Sequence, residues 1–388
     1  MAAMLAVAPA QDEVVRRATD AIRAYSAEGY HRTATAVDRE SADALAARAR
    51  ATGASVSLEP FELSRVDPAA ASVQVSGRRI DGLPMFDGAF TEAGGVTGPI
   101  GPAGTDRPIG WTRIAPNAEV ALRKVRDGSK HAAILAVTMG GKPGLCPVNA
   151  QWFTTPFGPP VLQISSEELA AIEAASGAGS EVRVVAHATR TAVQAFNVVS
   201  EISGTDRSLS PVCVMTPRSG WHANASERGG GIVCWLETMR AVVASKPRRT
   251  VKFVASSGHE LGHLGLHDYL HRNPTLAHGA FAWVHFGANI GASTGDVGMT
   301  PSDDRMRDAA MRAFAPHQLD SIRQSPVAQV AGEAATIKEQ DGRFVSFIGR
   351  NDWFHNPRDL WPDAVDIEAV ARFARAASDL TLQLARLR

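Results

Sequence analysis

Val251-Lys-Phe-Val-Ala-Ser-Ser257-Gly258-His259-Glu260-Leu261-Gly262-His263-Leu264-Gly265-Leu266-His267 is the stretch that decides how this chain reads. Its first half is a short run with β-branched and aromatic residues, the composition of a buried strand. Its second half gathers three histidines and one glutamate, side chains that bind divalent metals. Two incompatible readings follow, and they differ in the role of Glu260. If 259–272 is one helix, His259 and His263 lie four residues apart on one face. That is the His-Glu-x-x-His pattern of zinc proteases, with two imidazoles on the metal and Glu260 as general base. A further histidine at fixed spacing often extends this pattern, and Leu264-Gly265-Leu266-His267 does not supply it. The other reading makes Glu260 a metal ligand and needs more of the chain.

Segments on both sides alternate between strand and helix. Strands are expected at 194–202, 210–215, 250–256 and 280–286, and helices at 231–245, 259–272, 303–314 and 365–387. Alternation at this spacing predicts an α/β fold, a mixed, mainly parallel sheet sandwiched by helices. Catalytic groups in such folds sit at the carboxyl ends of strands. Upstream, 11–51 has helical patterning and Ser55–Leu63 alternates like a strand. The character changes between 66 and 188. Gly94–Gly104 is dense in Gly and Pro, and short apolar runs at Ala132–Thr138, Val161–Ser165 and Glu181–His187 read as strands. Ser165-Ser-Glu-Glu168 has the form of a helix cap. The expected division is therefore 1–65 with 189–388 as one α/β domain, and 66–188 as a smaller β-rich insert.

Composition narrows the function. With 388 residues there is length for two domains, and 40 basic residues balance 40 acidic ones. That balance argues against nucleic acid or an anionic membrane as partner, and no apolar run reaches the ~20 residues of a membrane helix. The partner expected is a small-molecule or peptide substrate, with a homo-oligomer left open. Cys146, Cys213 and Cys234 match no zinc or redox spacing, and Cys213 and Cys234 lie in apolar runs suited to a core. Met1–Ala10 is apolar but lacks a basic start, which makes a poor signal peptide, so a cytoplasmic location is expected. Trp235 falls in a core helix, whereas Trp221 and Trp353 flank the motif segments and are candidates for the wall of a substrate pocket.

The strand followed by Gly-His-Glu-Leu-Gly-His-Leu-Gly resembles the co-catalytic zinc aminopeptidases of peptidase family M-28, whose members usually show Gly-Glu-Glu-Leu-Gly-Leu-Leu-Gly there. The similarity continues through Asn197-Val-Val-Ser-Glu201-Ile-Ser-Gly204-Thr205, Arg249-Thr-Val-Lys-Phe-Val254 and Phe354-His355-Asn356-Pro357-Arg358-Asp359, in the family's order and over about half the chain. The layout of 66–188 is similar to the protease-associated insert of many members, and many members are exported.

The resemblance implies two metals, but several positions depart from it. The first ligand His falls on Thr216 and its supporting acid on Arg218. The general-base Glu falls on His259, and a later ligand Asp on Ala288 or Gly287. One ion thereby loses both of its private ligands, while the other keeps Glu227, Glu260 and His355. Three protein ligands with an open position is the usual catalytic zinc arrangement. The expectation is a metal-dependent hydrolase of an amide or related C–N bond with one divalent ion, zinc or else manganese. His259 would be the base, or a ligand. His222, in the loop that carries Glu227, would replace the missing histidine, and Arg218 would contact the substrate or an oxyanion. The alternatives are a non-catalytic aminopeptidase-like binding protein and, third, the His-Glu-x-x-His protease.

Overall fold

The computed structural model describes residues 8–387, so most of the apolar Met1–Ala10 run lies outside the described residues. In chain order the strands are β1 (Val56–Val75), β2 (Arg78–Pro84), β3 (Val96–Pro102), β4 (Ile109–Ile114), β5 (Ala133–Thr138), β6 (Val161–Ser165), β7 (Glu181–Ile202), β8 (Val212–Pro217), β9 (Val251–Ser256), β10 (Ala282–Phe286), β11 (Val297–Pro301), β12 (Arg323–Gln324) and β13 (Phe344–Gly349). Four parallel neighbours, β9, β8, β10 and β13, form the centre of a mixed α/β sheet. Antiparallel β7 flanks β9, and antiparallel β11 flanks β13.

The central strands are buried on both faces, and their side chains alternate between two cores with the period of a pleated strand. Val212, Val214, Val251, Phe253, Ala282, Val284 and Phe286 face one core. The helices Ala8–Ala27, Ala225–Ser245 and Ile367–Arg386 pack together on that side. Cys213, Met215, Val254 and Trp283 face the other core, with residues of the helices Leu264–Arg272 and Glu333–Glu339. His285, between Val284 and Phe286, points to this second side, where it meets Glu333. Cys146, Cys213 and Cys234 are buried free thiols, and Trp235 is fully buried.

Strand β7 is one continuous strand where the sequence suggested two, at 181–187 and 194–202. It pairs antiparallel with β1 from Val56 opposite Ser200 to Val75 opposite Val182. The far ends of these two strands carry the remaining strands of 66–188. The pairings β1-β2-β6-β5-β4-β3-β7 return to β1, which closes a circuit around Val73, Ile100, Leu135, Leu162 and Val184. Among the described residues no helix is long and apolar enough to cross a membrane.

The helix Ala225–Ser245 sits unusually close to the sheet's carboxyl edge. A Cβ at Gly230 would lie 1.7 Å from the Ile290 carbonyl oxygen, so glycine is required there by contact, against the ~1 kcal/mol it costs inside a helix. The helix start is fixed by Asp359, whose carboxylate accepts from the backbone N–H groups of Ser226 (2.8 Å) and Glu227 (3.0 Å) and from the Ser226 hydroxyl (2.6 Å). These bonds satisfy N–H groups that the first turn leaves open.

Candidate active site

The carboxyl ends of β8, β9 and β13 bring the candidate residues to one region. Leaving β8, the chain passes Arg218, Ser219, Trp221 and His222 before the helix that carries Glu227. Leaving β9 it turns through His259 and Glu260, and after β13 it reaches Trp353 and His355. All but Trp353, which is half-buried, are buried.

The turn after β9 excludes the His-Glu-x-x-His arrangement. His259–Leu261 is a single 3-10 turn, Gly262 takes φ +77°, His263 takes φ +62°, and the α-helix starts only at Leu264. The predicted helix over 259–272 is therefore shortened at its start by the glycine. His259 and His263 do not project from consecutive turns of one helix, and His263 Nδ1 meets the Thr336 hydroxyl at 3.2 Å.

Glu260 is already satisfied. Its Oε1 accepts from the Thr33 backbone N–H (2.9 Å) and hydroxyl (2.6 Å), and its Oε2 accepts from the Ser219 hydroxyl (2.7 Å). Arg218, expected at the substrate, is instead an internal strut. Its Nη1 donates to the Asp38 carboxylate (2.8 Å) and carbonyl (2.9 Å), and its Nη2 to the Phe196 carbonyl (2.6 Å). With buried Asp38 and half-buried Phe196 claiming the fork, only Nε lacks a partner.

Glu227 and His355 do meet, with Oε1 3.4 Å from Nε2. His355 Nδ1 lies 2.5 Å from the Pro147 carbonyl oxygen, to which it donates, and this turns Nε2 toward Glu227. His222 lies beside them, its Nε2 3.3 Å from the Leu145 carbonyl and its Nδ1 without a partner. Burial pushes His222 down to about 4. Burial alone would raise Glu227, but Arg228, His355 and His259 outweigh it and hold the carboxyl at about 2.

On the other side of the cleft His259 Nδ1 lies 3.5 Å from Glu333 Oε2, which also sits 3.3 Å from His285 Nε2. The Ser256 hydroxyl donates to Glu333 Oε1 at 2.5 Å. Burial would raise Glu333, but the two imidazoles more than offset it and hold the carboxyl well below its usual range. Glu333 went unread in the sequence. It opens a seven-residue helix 74 residues beyond His259, with no motif around it, and only the tertiary fold joins the two.

Residues 145–150, within the 66–188 stretch, cover this region. Besides the Leu145 and Pro147 carbonyls, Ala150 N donates to the Glu260 carbonyl (2.8 Å), and Trp221 Nε1 donates to Asn149 Oδ1 (3.0 Å). Trp221 also packs edge-on against Phe86, with centroids 5.1 Å apart. Trp353 remains half-buried at the rim, with Lys142 Nζ 5.7 Å from its ring centroid.

A catalytic zinc takes three protein donors converging on one point. Among the described residues no group of three or more His, Cys, Asp or Glu is so placed. Glu227 and His355 supply two donors, Glu260 is held by Thr33 and Ser219, and Arg228 Nη2 already lies 2.8 Å from Glu227 Oε1. As placed, these residues do not fit the ion that the resemblance implies.

No protein-family profile and no curated protein matches the sequence. Solved structures do match over nearly their whole length. A zinc aminopeptidase from Bacillus subtilis superposes with TM-score 0.77 at 15% identity, covering 97% of this chain and 95% of that one. A peptidase M-28 precursor from Shewanella amazonensis SB2B gives 0.77 at 15%, covering 98% and 97%. An aminopeptidase from Aneurinibacillus sp. strain AM-1 gives 0.72 at 15%, covering 96% and 94%. At this identity the likeness establishes the architecture: the chain has the fold of the zinc aminopeptidases.

Proposed function

We propose that this protein is a hydrolase of amide or related C–N bonds in a peptide or small molecule, with His259 as general base. The observation that carries the reading is the His259–Glu333 pair at the carboxyl end of β9. The Glu333 carboxylate lies 3.5 Å from His259 Nδ1 with no hydrogen bond formed; closing that gap sets the tautomer that leaves Nε2 free to take a proton. As the Nε2 lone pair takes a proton from water, the water oxygen bonds to the substrate carbonyl carbon. The same proton then passes to the leaving nitrogen as the C–N bond breaks. An apo distance of 3.5 Å is compatible with a bond that tightens on substrate binding. Zinc supplies Lewis-acid activation in enzymes that bind it, but no step here is assigned to an ion.

A second reading, a non-catalytic binding protein, is favoured by one feature: the insert's Leu145 and Pro147 carbonyls lie directly on His222 and His355. A panel of aminoacyl- and N-acyl-p-nitroanilides separates the two. Turnover by the wild type that drops at least ~10²-fold in His259→Gln, with unchanged melting temperature, is the outcome expected of a general base. Turnover that survives His259→Gln removes the base assignment. No turnover across the panel leaves the binding protein.

A further inference from the structure

Arg228 has no role in the chemistry above, yet it lies at the centre of the cluster. Its side chain is fully buried, as is that of Glu227. Its Nε donates to the Ser219 carbonyl at 2.7 Å, and Nη2 lies 2.8 Å from Glu227 Oε1. Beside that ion pair two imidazole nitrogens lack hydrogen-bond partners: His355 Nε2, 3.4 Å from Glu227 Oε1, and Nδ1 of His222. Two imidazoles and one carboxylate are the donor types of a catalytic zinc, although as placed they do not converge on one point. A fixed guanidinium beside the shared carboxylate neutralises it and repels a second cation.

We propose that Arg228 is the resident cation of this cleft: it holds Glu227 in place of a divalent metal, and the wild-type chain takes up no zinc at His222, Glu227 and His355. Ser219, leaving β8, holds the guanidinium through its carbonyl, and the Gly229–Gly231 run lets the helix carry Arg228 against the sheet edge. Without Arg228 the Glu227 carboxylate is free to turn toward the two imidazoles, and a metal site opens.

The test uses the full chain, stripped with chelator and dialysed, with Zn²⁺ alone and then Mn²⁺ alone titrated by calorimetry and counted by metal analysis. Other histidines give background uptake, so the readout is the difference made by His355→Ala. Wild type and His355→Ala are expected to take up equal zinc. Arg228→Met should gain about one equivalent, lost again in the Arg228→Met/His355→Ala double variant, whereas Arg228→Lys should match wild type. A wild type that exceeds His355→Ala by one equivalent overturns the proposal, as does a folded Arg228→Met that gains none. If Arg228→Met does not fold, the wild-type comparison still decides. Hydrolysis is not read in this experiment, so the His259 assignment can fail or stand on its own.

Discussion

Arg218 separates two residue-scale claims that sequence alone cannot. At the substrate, its loss would raise KM and leave stability alone. As the buried partner of Asp38, its loss leaves an uncompensated charge inside the protein, which costs about 3–5 kcal/mol. Arg218→Met is expected to lower unfolding stability by that amount in a urea titration; unchanged stability with a raised KM would restore the substrate role. Glu333 makes the complementary case. Glu333→Gln keeps the shape and removes the charge facing His259 and His285, so turnover should fall by about 10²-fold. The ¹⁵N shifts of His259 should report a changed tautomer at the same time, a readout that general destabilisation would not produce. His259 was placed by the readable strand before it, and Glu227 and His355 by segments resembling the aminopeptidase motifs and not by a strand pattern. The partners Asp38, Glu333 and Thr33 were not legible, because their pairings span up to 227 residues of sequence and leave no local signature; Arg228 adjoins Glu227, but adjacency does not show that the two side chains meet.

Elements were more legible where hydrophobic period and length agreed. β8, β9 and β10 and the helices Asp304–Phe314 and Ile367–Arg386 lie within two residues of their sequence-based bounds, whereas Ala225–Ser245 starts six residues before the expected 231 and takes Glu227 into its first turn. β13 was missed, although Phe344-Val-Ser-Phe-Ile-Gly349 is buried along most of its length: a six-residue apolar run is as consistent with a buried helix segment as with a strand. The helix expected from His259 was misjudged for a backbone reason. Gly262 and His263 both adopt positive φ, and side-chain periodicity does not report φ. The start of Ala225–Ser245 shows how a remote residue sets an element boundary. Asn224 makes no side-chain cap and Asp359 supplies it from 133 residues away. Asp359→Ala should cost at least the ~1–2 kcal/mol of a lost cap, measured by denaturant unfolding. It should also loosen Glu227, whose backbone N–H Asp359 holds. A loss below ~0.5 kcal/mol would mean that tertiary packing alone fixes that helix start.

At the scale of the whole molecule the buried histidines make the fold acid-sensitive. Burial holds His222 at about 4 and His263 at about 3, and lowers His285 as well. A histidine whose folded pKa lies below its unfolded ~6.5 binds its proton more readily in the unfolded chain. Its stabilising effect is complete above pH ~6.5 and is lost as pH falls toward the folded value. Asp359, pushed up to about 7 by burial, works in the opposite direction over the same window, because the folded state takes up its proton first. Glu227 and Glu333, both held low, contribute losses only below the ordinary carboxylate range. Asp38, Glu59 and Glu119, also raised by burial, oppose the histidines in the same way, so the loss of stability on acidification is the histidine contribution less that of these carboxyls. His263→Asn isolates one member, since asparagine tolerates the left-handed backbone of that position and carries no titrating group. Urea unfolding at pH 7, 6.5, 5.5 and 4.5 should show the variant's slope reduced by about one proton, near 1.4 kcal/mol per pH unit. An unchanged slope would mean that His263 stays uncharged in the unfolded chain or opens to water before the fold is lost, and the acid sensitivity would then belong to His222 and His285.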